Sequence, residues 1–170
     1  GSADFGKRVS CTISRNGDLI SRMYLSVGLP EQAANNAAWV NWPGHKLIKS
    51  VEVEIGGQRI DKHYGDWMHI WNELTVSSGH AAGYATMVGN TSSLMAVKAT
   101  KKEAAQLHIP LDFWFCKNPG LALPLIALQY HEVKVKVDLA TAASLNDVVS
   151  FAPAGGTAAP ATVVTAPATL

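Results

Sequence analysis

The chain has 170 residues, enough for one domain with a sizeable core; 48% are apolar and only 16% charged. That charged fraction sits below the ~25% of an ordinary soluble domain, so the exterior either meets other protein or is simply rich in alanine. A net charge of +1 leaves no basic footprint for nucleic acid, and two cysteines make neither a disulfide framework nor a metal finger.

Strand signals dominate the first half. Residues 7–14 alternate, with Val9, Cys11 and Ile13 on one face and Arg8, Ser10 and Thr12 on the other. Asn16-Gly17 is a turn dipeptide, and in 19–29 Met23, Leu25, Val27 and Leu29 share a face before Pro30 ends the ladder. The two runs together predict a hairpin. Residues 31–44 read as a loop holding Trp39, Trp42 and Pro43. A strand over 46–55 turns Val51, Val53 and Ile55 inward and Glu52 and Glu54 to water. Gly56-Gly57 supplies the positive φ angles of a tight turn, and 58–60 return briefly.

Helical spacing follows. Trp67, Ile70, Trp71 and Leu74 fall at i, i+3, i+4 and i+7, which predicts a buried stripe with Asp66, His69, Asn72 and Glu73 outside. A second helix is expected over 80–88, burying Tyr84, Met87 and Val88 and stopped by Gly89. Residues 90–100 read as exposed loop, and the small cluster Lys98, Lys101, Lys102, interrupted by Glu103, as solvated.

Residues 107–115 predict an apolar strand in which Asp112 falls on the outward face, opposite Leu111, Phe113 and Phe115. Burial of that carboxyl with a raised pKa is the alternative. Asn118-Pro119-Gly120 is a turn, and 121–128 fit strand or helical turn equally. That run is broken by Pro124 and is far shorter than the ~20 residues of a membrane span. Residues 130–139 alternate cleanly, Val133, Val135, Val137 and Leu139 in, Glu132, Lys134, Lys136 and Asp138 out. Beyond 152 only Ala, Gly, Pro, Thr, Val and a final Leu remain, which bury little, though 162–165 fit a short edge strand. Cys11 and Cys116 lie in apolar runs and read as buried free thiols, as in a reducing compartment; the polar start carries no signal peptide.

Short strands with turn signals, and helices confined to one insertion around 62–88, predict an all-β antiparallel β-sandwich. Jelly-roll pairing places 46–55 beside 130–139, with Glu52 and Glu54 facing Lys134 and Lys136 across the ladder at ~0.2–1 kcal/mol per pair.

No catalytic, cofactor or metal site emerges. His63, Asp66, His69 and Glu73 are close in sequence, but six residues put the two histidines on different helix faces. His108 and His131 sit singly in strand-like runs and read as structural. Nucleophile-elbow and phosphate-loop patterns are missing. Asn90-Thr91-Ser92 is a sequon, so Asn90 is a possible glycosylation position. Trp67 and Trp71 belong to the expected core stripe, which leaves Trp39 and Trp42, in a loop, as interface candidates.

Three blocks carry a likeness: SRNGDLISRMYL over 14–25, WVNWPGHKLIKSVEVEIGGQRIDKHYGDW over 39–67 and IPLDFWFCKNPGLALPLIALQYHEVKV over 109–135. The chain resembles the first jelly roll of the double jelly-roll major capsid proteins of nucleocytoplasmic large DNA viruses. The resemblance implies a structural protein without enzyme activity or cofactor. It implies a homotrimeric, pseudo-hexagonal capsomer tiling an icosahedral shell, with capsomer–capsomer contacts and minor capsid proteins as partners. It further implies no direct nucleic-acid contact, an internal membrane met only indirectly, and assembly in the host cytoplasm. The pattern is left near Ala140. The expected organisation is a jelly-roll capsid domain over 1–151 with about seven of eight strands, an Ala/Pro/Thr-rich tail or linker over 152–170, and no second jelly roll. The missing strand predicts an open sheet edge and reduced stability. Two other classes fit the same architecture. One is a lectin-like or scaffold module using Asp61, Asp66, Trp67 and Asn72; the other is a cupin-type enzyme using His108 and His131.

Overall fold

The computed structural model describes residues 4–32, 37–97 and 102–148. It begins with β1 (Arg8–Thr12), β2 (Leu19–Ile20), β3 (Tyr24–Leu29) and β4 (Ala37–Trp39). A helical stretch surrounds one hairpin: α1 (Pro43–Leu47), β5 (Ile48–Ile55), β6 (Gln58–His63), α2 (Gly65–Thr75), α3 (Ser78–Val88) and α4 (Ser92–Met95). Then come β7 (Ala105–Pro110), α5 (Trp114–Lys117), β8 (Leu123–Pro124), β9 (Val133–Leu139), α6 (Ala142–Leu145) and β10 (Asn146–Val148). The chain is therefore mainly antiparallel sheet with several helices. Helical turns at 43–47, 92–95, 114–117 and 142–145 fall outside the one insertion expected to hold them.

The main sheet has the order β1-β9-β5-β6, every pair antiparallel. Its centre is the expected pairing of β5 with β9. Val53 lies opposite Val135 and Val51 opposite Val137, so one face of the ladder is continuous β-branched packing. Glu52 stands opposite Lys136 and Glu54 opposite Lys134, and Lys136 reaches diagonally to pair with Glu54. Glu52 does not face open water, however: it is only 7% exposed. Arg8 from β1, at 3.0 Å, and Lys62 from β6, at 2.8 Å, close over it because a central strand has long side chains on both flanks. The hydrogen-bonded Lys62 amine holds its carboxyl below the ordinary range.

Gly56 and Gly57 have φ of +60° and +83°, so this two-residue turn needs glycine-like freedom at both positions. The returning strand runs on to His63, past a register shift between Val53 and Glu54.

The N-terminal hairpin does not form. β1 pairs with β9, β2 with β8, and β3 with β7. Asn16-Gly17 lies in a bend that carries the chain from one sheet to another, and the apolar face of β3 finds its ladder in β7. One core takes Val51, Val53, Val135 and Val137 from the main sheet and Val27, Leu29, Leu107 and Ile109 from the β3–β7 pair. Phe113 and Phe115 extend it beyond β7, where the expected strand gives way to α5 after Pro110.

α2 forms where the spacing predicts but turns its other side inward. Met68 and Asn72 are buried, at 1% and 4% exposure, while Trp67, Ile70 and Leu74 are exposed. Gly65 gives the reason. A Cβ there would stand 2.1 Å from the His45 carbonyl oxygen and 2.5 Å from that of Ile48, so bare helix backbone is pressed onto the α1–β5 junction. Positions i+3 and i+7 from Gly65 share its face, and these are Met68 and Asn72. α3 ends as expected: Gly89, at φ +83°, donates its N–H to the carbonyls of Ala85 and Thr86. The expected edge strand at 162–165 and the end of the domain near 151 lie outside the described residues.

Candidate functional site

The two interface candidates separate. Trp39 is in β4, 2% exposed and part of the core, so it is not a surface residue of this chain. The extended, apolar-flanked stretch that read as loop is in fact a short strand paired with β10. Trp42 is half-buried with φ +53° and caps α1. Its ring stacks on His45, with centroids 5.4 Å apart and planes within 3°, and meets His69 at 5.1 Å.

This cluster ties α1, α2 and α3 together. His45 Nε2 lies 2.7 Å from the Tyr84 hydroxyl. Burial, and then the neighbouring His69, depress the His45 pKa to about 4, so the imidazole is neutral near pH 7. Burial raises the Tyr84 phenol well above its ordinary value. The Nδ1 atoms of His45 and His69 are buried without hydrogen-bond partners. No group of three or more His, Cys, Asp or Glu able to hold a metal ion occurs among the described residues.

The other singled-out residues are not brought together. His63 pairs with Asp61 at 3.3 Å and stacks on Phe113, away from His69. His108 and His131 are exposed. Of the grouping Asp61, Asp66, Trp67 and Asn72, Asn72 is buried and Trp67, expected in the core, is exposed. Asn90 sits at the α3–α4 turn, half-buried, its N–H donating to the Ala85 carbonyl at 2.7 Å. Asp112 is half-buried rather than outward, and burial raises its pKa. Cys11 is exposed and Cys116 half-buried, so neither is the fully buried thiol expected. Lys102, expected in solvent, is buried; its amine donates to the carbonyls of Ser93, Leu94 and Ala96 and so closes the C-terminal end of α4. The only hint in the sequence was a lysine within reach of a short helix end.

What the described surface offers is apolar. The outer stripe of α2 carries Trp67, Ile70 and Leu74 in the open. Trp71 stacks on Trp67 at 5.7 Å, and the Lys117 amine lies 4.2 Å from the Trp71 ring. A second apolar feature is a trough of about 350 Å³ beside β1, lined by Val9, Cys11, Met23, Leu25, Leu111 and Val137 among others. β1 is an edge strand of its sheet, which accounts for the exposure of Cys11. Among the described residues no helix is long and apolar enough to cross a membrane.

The exposed α2 stripe and the trough beside β1 are surfaces of the kind that pack against protein. Comparison with known families decides the matter: residues 1–169 match the family model described as the N-terminus of major capsid protein. The chain belongs to the major capsid protein family. It is 57% identical over 146 residues to the major capsid protein of Pyramimonas orientalis virus, covering 85% of this chain and 37% of that relative. Among solved structures, the capsid of PBCV-1 matches with TM-score 0.75 and 38% identity, over 99% of this chain and 37% of that one. The Faustovirus major capsid protein, at 14% identity and TM-score 0.74, shares the fold, over 88% of this chain and 42% of that one. The chain spans about a third of the length of the curated relatives it matches.

Proposed function

We propose that this chain serves as the first jelly roll of a major capsid protein, a structural, non-enzymatic building block of a viral shell. The observation that carries the reading is the 57% identity over 146 residues to a major capsid protein, which spans the whole β5–β9 architecture. The two apolar-cored layers, β1-β9-β5-β6 and β3–β7, support a jelly-roll sandwich. In this reading residues 1–151 are the capsid domain and 152–170 a tail or linker. The functional unit is a homotrimeric capsomer in an icosahedral shell, assembled in the host cytoplasm and contacting neighbouring capsomers and minor capsid proteins. Nucleic acid is not touched, and an internal membrane is met only indirectly. Trp42 remains a candidate contact residue through its exposed part, and Asn90 a candidate modification position.

The test is peptide mass spectrometry on purified virus particles from the source of the sequence. Peptides from residues 109–135 are expected among the most abundant species. Their presence only at trace level would sink the shell reading.

A further inference from the structure

We propose that the outer stripe of α2 is a contact surface between copies of this chain. The proposal rests on the capsid reading, because it takes a second copy as the occupant. An amphipathic helix on a lone domain turns its apolar side to the core. α2 does so only in part: Gly65, Met68 and Asn72 face in, while Trp67, Ile70 and Leu74 face out. Exposure reaches 53% at Tyr64, 40% at Trp67, 51% at Ile70 and 75% at Leu74. With about 200 Å² per large side chain, that leaves roughly 450 Å² of uncovered area. A patch of this size matches the largest on a typical monomer, which is often functional, and it supplies more than half of the ~800 Å² each partner contributes to a standard interface.

The stripe is also already ordered. The Trp67–Trp71 stack and the Lys117 amine over Trp71 hold both indoles in place, so little side-chain freedom remains to be lost on contact. Its borders carry opposite charge. At 100° per residue, the exposed Asp66 and Glu73 fall on the Ile70 side, while Lys117 covers the Trp71 side. A stripe with an acidic flank and a cationic flank is complementary to a second copy of itself. In a shell whose main component is this one protein, the neighbour at highest local concentration is another copy.

The experiment is light scattering of the purified chain over a concentration series, for wild type and for the double variant Ile70→Lys, Leu74→Lys. Lysine at 70 sits three residues from Glu73 and four from Asp66, so the helix itself is not stressed. Leu19→Lys, at an exposed apolar position on β2, is the control. Wild type and control are expected to associate alike. The double variant should shift the association midpoint by about tenfold or more, with an unchanged melting temperature. Association of the double variant at the wild-type midpoint overturns the proposal, and so does a wild type that stays monomeric throughout. A double variant with a lowered melting temperature is replaced by Leu74→Lys alone, read by the same criterion. Abundant peptides in purified particles, together with unaffected association, would remove the α2 contact and leave the capsid reading standing.

Discussion

The β5–β9 ladder and the helical stretch from α1 to α4 assign their faces by different means. In the ladder, each strand repeats the same two-residue choice along its length, so Val51, Val53, Val133, Val135 and Val137 all vote for one buried face. In the helical stretch the decision rests on few contacts: the bare backbone of Gly65 against the His45 and Ile48 carbonyls, and the partly buried His45–Tyr84 hydrogen bond. Damage should therefore be graded in the first region and abrupt in the second.

The largest expected effect tests that contrast directly. Gly65→Ala forces a methyl into two backbone carbonyls that cannot turn aside, and separation of α2 from α1 should lower stability by about 3 kcal/mol or more. Val53→Ala, at a fully buried position in the ladder, deletes two carbons and should cost only about 2 kcal/mol. Chemical denaturation of the two variants ranks them. A Gly65→Ala variant more stable than Val53→Ala would mean that the glycine contact does not orient α2.

Next comes a pair on one helix. Met68→Ala should lose about 2–5 kcal/mol, whereas Leu74→Ala, six residues on, should stay within ~0.5 kcal/mol of wild type. The reverse ranking in thermal melts would restore the face that periodicity alone predicts.

Acid should separate the two regions by pH. His45 titrates near 4 in the folded chain and at 6.5 when unfolded, so the unfolded chain binds the extra proton across that window. Its contribution is complete above pH 6.5 and declines as pH falls toward 4, by about 2 kcal/mol at pH 5. Glu52 is shifted in the same direction but in a lower window: its pKa is held below 4.5, so its contribution to the ladder is lost only on acidification below that value. Melting temperature measured from pH 7 to 5 should fall in wild type and fall less in His45→Gln, which has no imidazole to protonate. Equal slopes would remove His45 as the acid-sensitive point.

The same contrast explains what was legible in the sequence. Strand alternation encodes both the element and its buried face, so the β5–β9 pairing and its Glu–Lys register were readable, as were the Gly56-Gly57 turn and the Gly89 stop. The helical period encodes an apolar stripe but not what covers it. The stripe of α2 reads as core because most stripes are, and the deciding residue, Gly65, has no side chain to enter the pattern. Trp39 and Lys102 escaped for a related reason: β4 needs β10 to become a strand, and Lys102 needs the α4 carbonyls to become buried. Partners distant in sequence, or dependent on a helix end, leave no local pattern. The N-terminal hairpin failed likewise, since a turn dipeptide fixes local curvature and not the partner of the strand that follows.

The smallest effect concerns how the ladder keeps its register. Lys136 pairs with Glu54, and Lys134 stands opposite Glu54. Both lysines retain partial exposure, so a double-mutant cycle on Glu54→Gln and Lys136→Met should give a coupling of only about 0.2–1 kcal/mol. A larger share is not needed. A one-residue slip of β5 against β9 would carry Glu52 and Glu54 into the apolar layer and Val51 and Val53 out of it, a far heavier penalty than any exposed ion pair can offset. The charges refine a register that the valines already impose. A coupling well above 1 kcal/mol would reverse that order, making the Glu–Lys ladder the element that holds the sheet in place.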